Sequence, residues 1–445
     1  MNEKDQSMLE KFEIDKETSE LKIVEIPESQ YKSEQEKLNK KNKVKEVEEP
    51  KKSIGKQLVM NQLLGFDMEK TTDKKQRGFK TLVSVIFIIF VVGVLCWTAF
   101  NDFSGGELPP FSQMLNTFSQ NWYYLLFALL AIFLMYFFKG SKLSVMCKFL
   151  TGKWHFRTCF ETGIVGIYYN NITPLAVGGQ PFEIHYLSKH GVHGGVASSL
   201  PIAGFFLNQF AFVILGMISV FLFATNALSI PVEMIGVIPN ITSILAIIGL
   251  VCCLVVPLLV VIFCLTPRVG SAMVNFVAFL GTKLKLLKKP EEFKFKTKKT
   301  VFHNAKCLKK ITANGSCFIA TFLLSFCEQF AYSSIAYFSL KFFGFNWPAV
   351  HVFEWLQVIQ LCLILYAAIS FIPTPGNSGA ADLSFYLLFK TGLGISGSSK
   401  YGGFAFPSML LWRFLSFYST IILGFIFNTA KRKSDVRKEK NQNNS

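Results

Sequence analysis

"TLVSVIFIIFVVGVLCWTAF" (residues 81–100) carries no charged residue in twenty. As a helix it would rise about 30 Å, the thickness of a bilayer's hydrocarbon core. A buried element of a soluble α/β core is the competing explanation, and the run is too long for it. Further apolar runs follow near 121–138, 196–224, 241–265, 316–340, 350–372, 379–391 and 404–428. The 445-residue chain is 51% hydrophobic. The expected fold is therefore all-α, a polytopic membrane helix bundle with about eight spans.

Residues 1–78 differ from everything after them. They contain 17 Lys/Arg and 17 Asp/Glu, which leaves the rest of the chain 29 basic and 12 acidic residues. The formal net charge of +17 thus belongs wholly to the membrane part and its loops. Such placement fits the positive-inside rule and anionic headgroups better than nucleic-acid binding. Few aromatics and a high charge density make 1–78 a mostly disordered cytoplasmic tail, with transient helix around 31–49. The first apolar run begins too late to be a cleaved signal sequence.

Lysine and arginine placement orders the loops. "NDFSGGELPPFSQMLNTFSQ" (101–120) and "TNALSIPVEMIGVIPN" (225–240) lack both residues and belong outside. The segment with Lys139, Lys142, Lys148, Lys153 and Arg157 reads as an inside loop. Residues 266–312 hold 12 Lys/Arg against only Glu291 and Glu292, so this loop is cytoplasmic. The tail 431–445 is basic and also belongs inside. For both ends to be cytoplasmic, the short stretch near 379–391 must complete a crossing, and the segment around 160–190 must be re-entrant.

Two segments break the apolar pattern. "NNITPLAVGGQPFE" (170–183) contains Thr173-Pro174, Gly178-Gly179, Gln180 and Glu183. "PTPGNSGAAD" (373–382) contains Thr374-Pro375, Gly376, Asn377, Gly379 and Asp382. Proline removes a backbone donor and glycine permits positive φ. In lipid, the freed backbone groups are tolerated only inside protein or beside a water-filled cavity. Paired breaks in two halves point to a midplane transport site, whose half-helix N-termini would face an anionic group. Intramembrane charges need partners, so Arg413 requires an acid, with Asp382 and Glu328 the candidates. Asn208, Gln209, Gln357 and Gln360 are further polar interruptions.

No metal, cofactor or catalytic constellation is expected. His185, His190 and His193 have no cysteine neighbours and no i, i+4 spacing, and the ten cysteines form no C-x-x-C pair.

These same residues resemble a known family. "NNITPLAVGGQPFE" is similar to the N-x-x-T-P-x-x-x-G-G-E/Q-P signature of the lysylphosphatidylglycerol synthase transmembrane-domain family, whose members include the flippase part of the bacterial multiple-peptide-resistance factor. "PTPGNSGAAD" resembles its P-x-P-G-G-x-G-x-x-E, and "LLWRF" (410–414) its last-span arginine. The resemblance covers roughly residues 79–430. It implies carry-over for Asn171, Thr173, Pro174, Gly178, Gly179, Gln180, Pro373, Pro375, Gly376, Gly379 and Arg413. Asn377 stands where the family has a second glycine, and Asp382 where it has glutamate. Together with Glu183 and Glu328, these residues without the prolines are the candidate substrate-binding set.

The resemblance implies translocation of a polar-headgroup lipid, such as lysylphosphatidylglycerol, across the cytoplasmic membrane of a bacterium. The cargo would be an anionic or aminoacylated phospholipid, or a glycolipid, and a separate synthase subunit would be a partner. The alternative is a phosphatidylglycerol lysyltransferase using lysyl-tRNA, the one way in which nucleic acid would enter. Only 15 residues follow residue 430, against the ~150 or more of an acyltransferase domain. Aminoacyl transfer by this chain alone is therefore not expected.

Overall fold

The computed structural model describes residues 8–14, 21–27, 111–173, 178–192, 194–225, 290–344, 354–370, 372, 374–393 and 404–443, with scattered positions between 247 and 282. The spans expected at 79–100 and over nearly all of 241–265 lie outside these, as do Pro174 and Pro373. The chain divides into two units. One combines Met1–Glu69 with Val277–Lys299, the other Lys70–Phe276 with Thr300–Ser445. In the first, β1 (Met8–Ile14) pairs antiparallel with β2 (Leu21–Pro27), Met8 opposite Pro27 and Ile14 opposite Leu21. The stretch read as transient helix, 31–49, lies outside the described residues.

All the regular elements described in the second unit are helices, as the apolar runs require. Its elements are α1 (Phe111–Thr151), α2 (Phe156–Ile172), α3 (Gly179–Lys189), α4 (Gly194–Ala224), and the end of α5 (Pro290–Ala313). Then come α6 (Gly315–Phe342), α7 (Glu354–Ile369), α8 (Ala380–Leu393), α9 (Ala405–Arg413) and α10 (Ser419–Asn443). Among the described residues four helices are long and apolar enough to cross a membrane: Leu115–Thr151, Gly195–Leu222, Gly315–Phe342 and Ala405–Lys431. Two shorter apolar helices, Glu354–Ile369 and Ala380–Phe389, flank the second break. The chain is thus a polytopic helical bundle.

Lipid-facing and core-facing surfaces separate by helical spacing. On α1, Leu115, Phe118, Trp122, Leu126, Leu129 and Phe133 recur every three or four residues and are exposed. Their neighbours Ala128, Ala131, Ile132 and Met135 are buried against Ala331, Ile335 and Leu340 of α6. The same core takes Phe385 and Phe389 of α8 and Trp412 of α9, with Phe385 stacked on Trp412 at 4.3 Å. An apolar stripe of this kind outside the core is what acyl chains cover.

α1 is longer than its apolar run. A span at 121–138 was expected to end in a lysine-bearing loop, but the helix continues to Thr151 and closes at Gly152, whose φ is 74°. Lys139 and Lys142 therefore lie on the helix, and Lys142 is 2% exposed. Carboxylates from other helices compensate them at that depth.

α6 carries many polar residues yet stays apolar outside. The hydroxyls of Thr321, Ser325, Ser334 and Ser339 donate to carbonyls one turn back. Asn314 starts α6, its Oδ1 accepting the Cys317 amide at 2.8 Å. At its other end Lys341 pairs with Glu354 of α7 at 2.6 Å, both buried.

α2 and α10 lie side by side in antiparallel register. Asn171 meets Thr420, Tyr168 meets Gly424, and Glu161 meets Lys431. A Cβ at position 424 would sit 2.4 Å from that of Tyr168. Gly424→Leu should therefore push the two helices apart and cost about 1–3 kcal/mol of stability, measured by unfolding in mixed micelles.

Candidate functional site

The first break is a turn closed by its own side chains. α2 ends at Ile172, and Thr173 takes an extended conformation. The Thr173 Oγ1 accepts the Gly178 amide at 3.0 Å and donates to the Tyr169 carbonyl at 2.7 Å. Asn170 Oδ1 accepts the Gly179 amide at 2.8 Å. It is thus Asn170, at the first position of the sequence motif, that closes the turn. Its neighbour Asn171 faces the other way and donates to Thr420 Oγ1 at 2.7 Å. Gln180 is half-buried on the first turn of α3. Neither α2 nor α3 is long and apolar enough to cross, in keeping with a re-entrant pair.

The second break is held by Arg413. Its Nη2 donates to the Gly376 carbonyl at 2.9 Å and to Ser378 Oγ at 2.6 Å. Its Nε lies 3.0 Å from Asp382 Oδ1, an ion pair whose angle makes no hydrogen bond. The guanidinium also sits 4.2 Å from the centre of the Phe417 ring. Asp382, on the first turn of α8, reaches back with Oδ2 to accept the Gly379 amide at 2.8 Å. Glu328 is not the partner of Arg413.

This geometry resolves both departures from the family signature. Asn377 has φ 53°, in the left-handed region that asparagine tolerates better than other side-chain-bearing residues. Gly376, φ 55°, lies against Phe417, where a Cβ would come within 2.1 Å of the ring. Asp382, one methylene shorter than glutamate, still reaches both Arg413 and the Gly379 amide.

Both breaks meet the last long helix at one place. The turn Pro375–Asn377 packs against α2. Asn171 bonds Thr420, and Gly376 backs onto Phe417, three residues earlier. Between α9 and α10 the helix widens to a π-helical segment at Phe414–Tyr418. Such segments arise where local packing outweighs regular helix bonding, often at functional sites. Sequence reasoning had no signal for this one.

The expected anion cradle is not open at these helix starts. The Gly178, Gly179 and Gly379 amides, which would face a ligand, are each taken by a side chain of the protein. Charge gathers elsewhere. Lys139 and Lys142 lie one turn apart on α1. Lys139 Nζ is 2.9 Å from Glu183 Oε1 of α3, and Lys142 Nζ is 2.7 Å from Glu328 Oε2 of α6. Lys142 also donates to Asn208 Oδ1 of α4 at 3.5 Å. Each lysine interacts electrostatically with the other's glutamate as well, so the two pairs form one cluster. Glu183 occupies the space over Gly166, where a Cβ would fall 1.6 Å from Oε1.

Sequence reasoning assigned the two lysines to a loop and so missed this cluster. Their signal was the i, i+3 spacing on the end of an apolar run. Gln360, noted in the sequence, donates to the Ser219 carbonyl of α4 at 2.8 Å and joins α7 to α4. No group of three or more His, Cys, Asp or Glu that could hold a metal occurs among the described residues.

Residues 82–424 match the family described as lysylphosphatidylglycerol synthase TM region. The chain belongs to this family. No curated protein and no solved structure matches it. Family and architecture together make it a multi-pass membrane protein of the lysylphosphatidylglycerol synthase type, one that interacts with lipid. The match takes in both breaks, the four-charge cluster and Arg413.

The two ionic sites should respond differently to substitution. Arg413→Met leaves Asp382 buried without its cation and should cost about 3–5 kcal/mol. Asp382→Asn, which keeps the Gly376 and Ser378 bonds of Arg413, should cost less. Unfolding in mixed micelles checks both, and equal losses would show that Arg413 stabilises the turn only through Asp382.

Proposed function

We propose that the chain translocates a polar-headgroup phospholipid across the cytoplasmic membrane of a bacterium, with both termini on the cytoplasmic side. What carries this reading is the buried cluster of Lys139, Lys142, Glu183 and Glu328, contributed by α1, α3 and α6 of a lipid-related membrane family. Buried intramembrane charge is costly, and structural needs rarely call for four such groups together. A polar headgroup crossing hydrocarbon needs such a polar waypoint, while its acyl chains stay in lipid.

Roles divide accordingly. Glu183 and Glu328 face the headgroup together with the two lysines. Asn171, Thr173, Gly178, Gly179, Gly376, Asn377, Gly379, Asp382 and Arg413 hold the two turns that frame the path, with Gln180 beside the first. Alternation between two states would work through the hairpin α2–α3, which carries Glu183 and is joined to α10 by Asn171 and Glu161.

A deletion strain analysed leaflet by leaflet tests the proposal. The transported lipid should persist at normal total amount, while its outer-leaflet share falls several-fold. Loss of an aminoacylated lipid from both leaflets would instead assign the chain to synthesis. Unchanged leaflet distribution of every phospholipid would rule translocation out.

A further inference from the structure

The cluster holds two cations and two anions, so each pair and the whole are formally neutral, and each lysine lies within the field of both glutamates. All four side chains are largely withdrawn from solvent, Lys142 and Glu328 at 3% and 12% exposure. Breaking either pair without replacement orphans a buried charge, which the membrane interior penalises heavily.

Consider what can enter such a cluster. A headgroup with phosphate alone can take a lysine from its glutamate but leaves that carboxylate unpaired, and the site then carries −1. An uncharged sugar can break a pair but returns no opposite charge to either member. A headgroup with one phosphate and one ammonium does both jobs at once. Its phosphate takes the lysine, its ammonium takes the released glutamate, and the cluster stays neutral throughout. A lysyl ester, with two ammoniums for one phosphate, satisfies both partners but leaves +1.

We infer that Lys139, Lys142, Glu183 and Glu328 form an ion-exchange site selective for zwitterionic phospholipid headgroups bearing one phosphate and one ammonium. The inference rests on the translocation reading for its biological setting, but the selectivity it names is a binding property. Two built-in features support exchange. Asn208 lies 3.5 Å from Lys142 and offers an alternative acceptor as Glu328 leaves. Gly166 keeps the space above α2 open for the Glu183 carboxylate. By contrast, Arg413 is fixed by two hydrogen bonds to the turn besides its carboxylate, and has no comparable freedom.

The test uses the full chain, purified in detergent and reconstituted. Native mass spectrometry would compare binding of dioleoyl phosphatidylethanolamine, dioleoyl phosphatidylglycerol and a dioleoyl glucosyl lipid. Phosphatidylethanolamine should bind at least about ten-fold tighter than either of the others. The quadruple variant Lys139→Met, Lys142→Met, Glu183→Met and Glu328→Met removes both pairs without orphaning a charge, and should bring the three lipids to within about two-fold. The exchanged variant Lys142→Glu with Glu328→Lys keeps neutrality and should keep the preference. Equal or tighter binding of phosphatidylglycerol by the wild-type chain overturns the inference, whether or not any variant folds. So does an undiminished preference in the quadruple methionine variant. Transport of acyl-labelled versions of the same lipids in proteoliposomes separates the two proposals. Selective binding without movement refutes translocation and leaves the site standing. Movement with phosphatidylglycerol bound as well as phosphatidylethanolamine does the reverse.

Discussion

A lysine buried in a membrane bundle must find a carboxylate, and much of this structure follows from α1 burying two. Lys139 and Lys142 sit one turn apart, so their partners must arrive from the same side of α1. Glu328 comes from α6, already packed antiparallel along α1 through Phe118 with Phe342 and Phe127 with Phe338. Glu183 comes from α3, which is not long and apolar enough to cross a membrane. The first break separates α3 from α2, and its Thr173 and Asn170 bonds satisfy the backbone that the break exposes.

The second break solves a similar problem with a different tool. Its backbone is anchored from outside the turn by Arg413, and the turn in turn presses Gly376 onto Phe417. Arg413, Phe417 and Thr420 lie on successive turns of the last helix, so one stretch of that helix touches both breaks. The π-helical segment falls within this stretch. A strictly regular helix would place these three contacts at a fixed phase, and the widened turn lets packing set it instead.

Much of the architecture could be read locally. Spans, breaks and the need of Arg413 for an acid all follow from residues near one another in sequence. So did the family signature, and the two departures from it proved compatible with their positions. What could not be read was pairing at a distance. Lysines after an apolar run look like the end of a span, because positive charge at a helix end is what snorkelling and the positive-inside rule predict. Only the glutamates of α3 and α6, 41 or more residues away, turn Lys139 and Lys142 into interior groups. The asparagine of the turn was legible as well: N-x-x-T-P begins at Asn170, not at the Asn171 named as the candidate, and adjacent helical residues point about 100° apart, which turns Asn171 towards Thr420.

The two ionic sites differ in a way that bears on mechanism. Around Arg413 every hydrogen-bonding partner belongs to one short turn, so moving the arginine would unmake the turn itself. Around Lys139 and Lys142 the partners belong to three separate elements, α3, α4 and α6. Bonds between separate elements can be exchanged without destroying any of them, provided something carries matching charge into the gap. Rigidity at the breaks and exchangeability at the cluster are complementary demands. A path for a polar headgroup needs fixed walls, or hydrocarbon would close over it, and it needs charges that can let go.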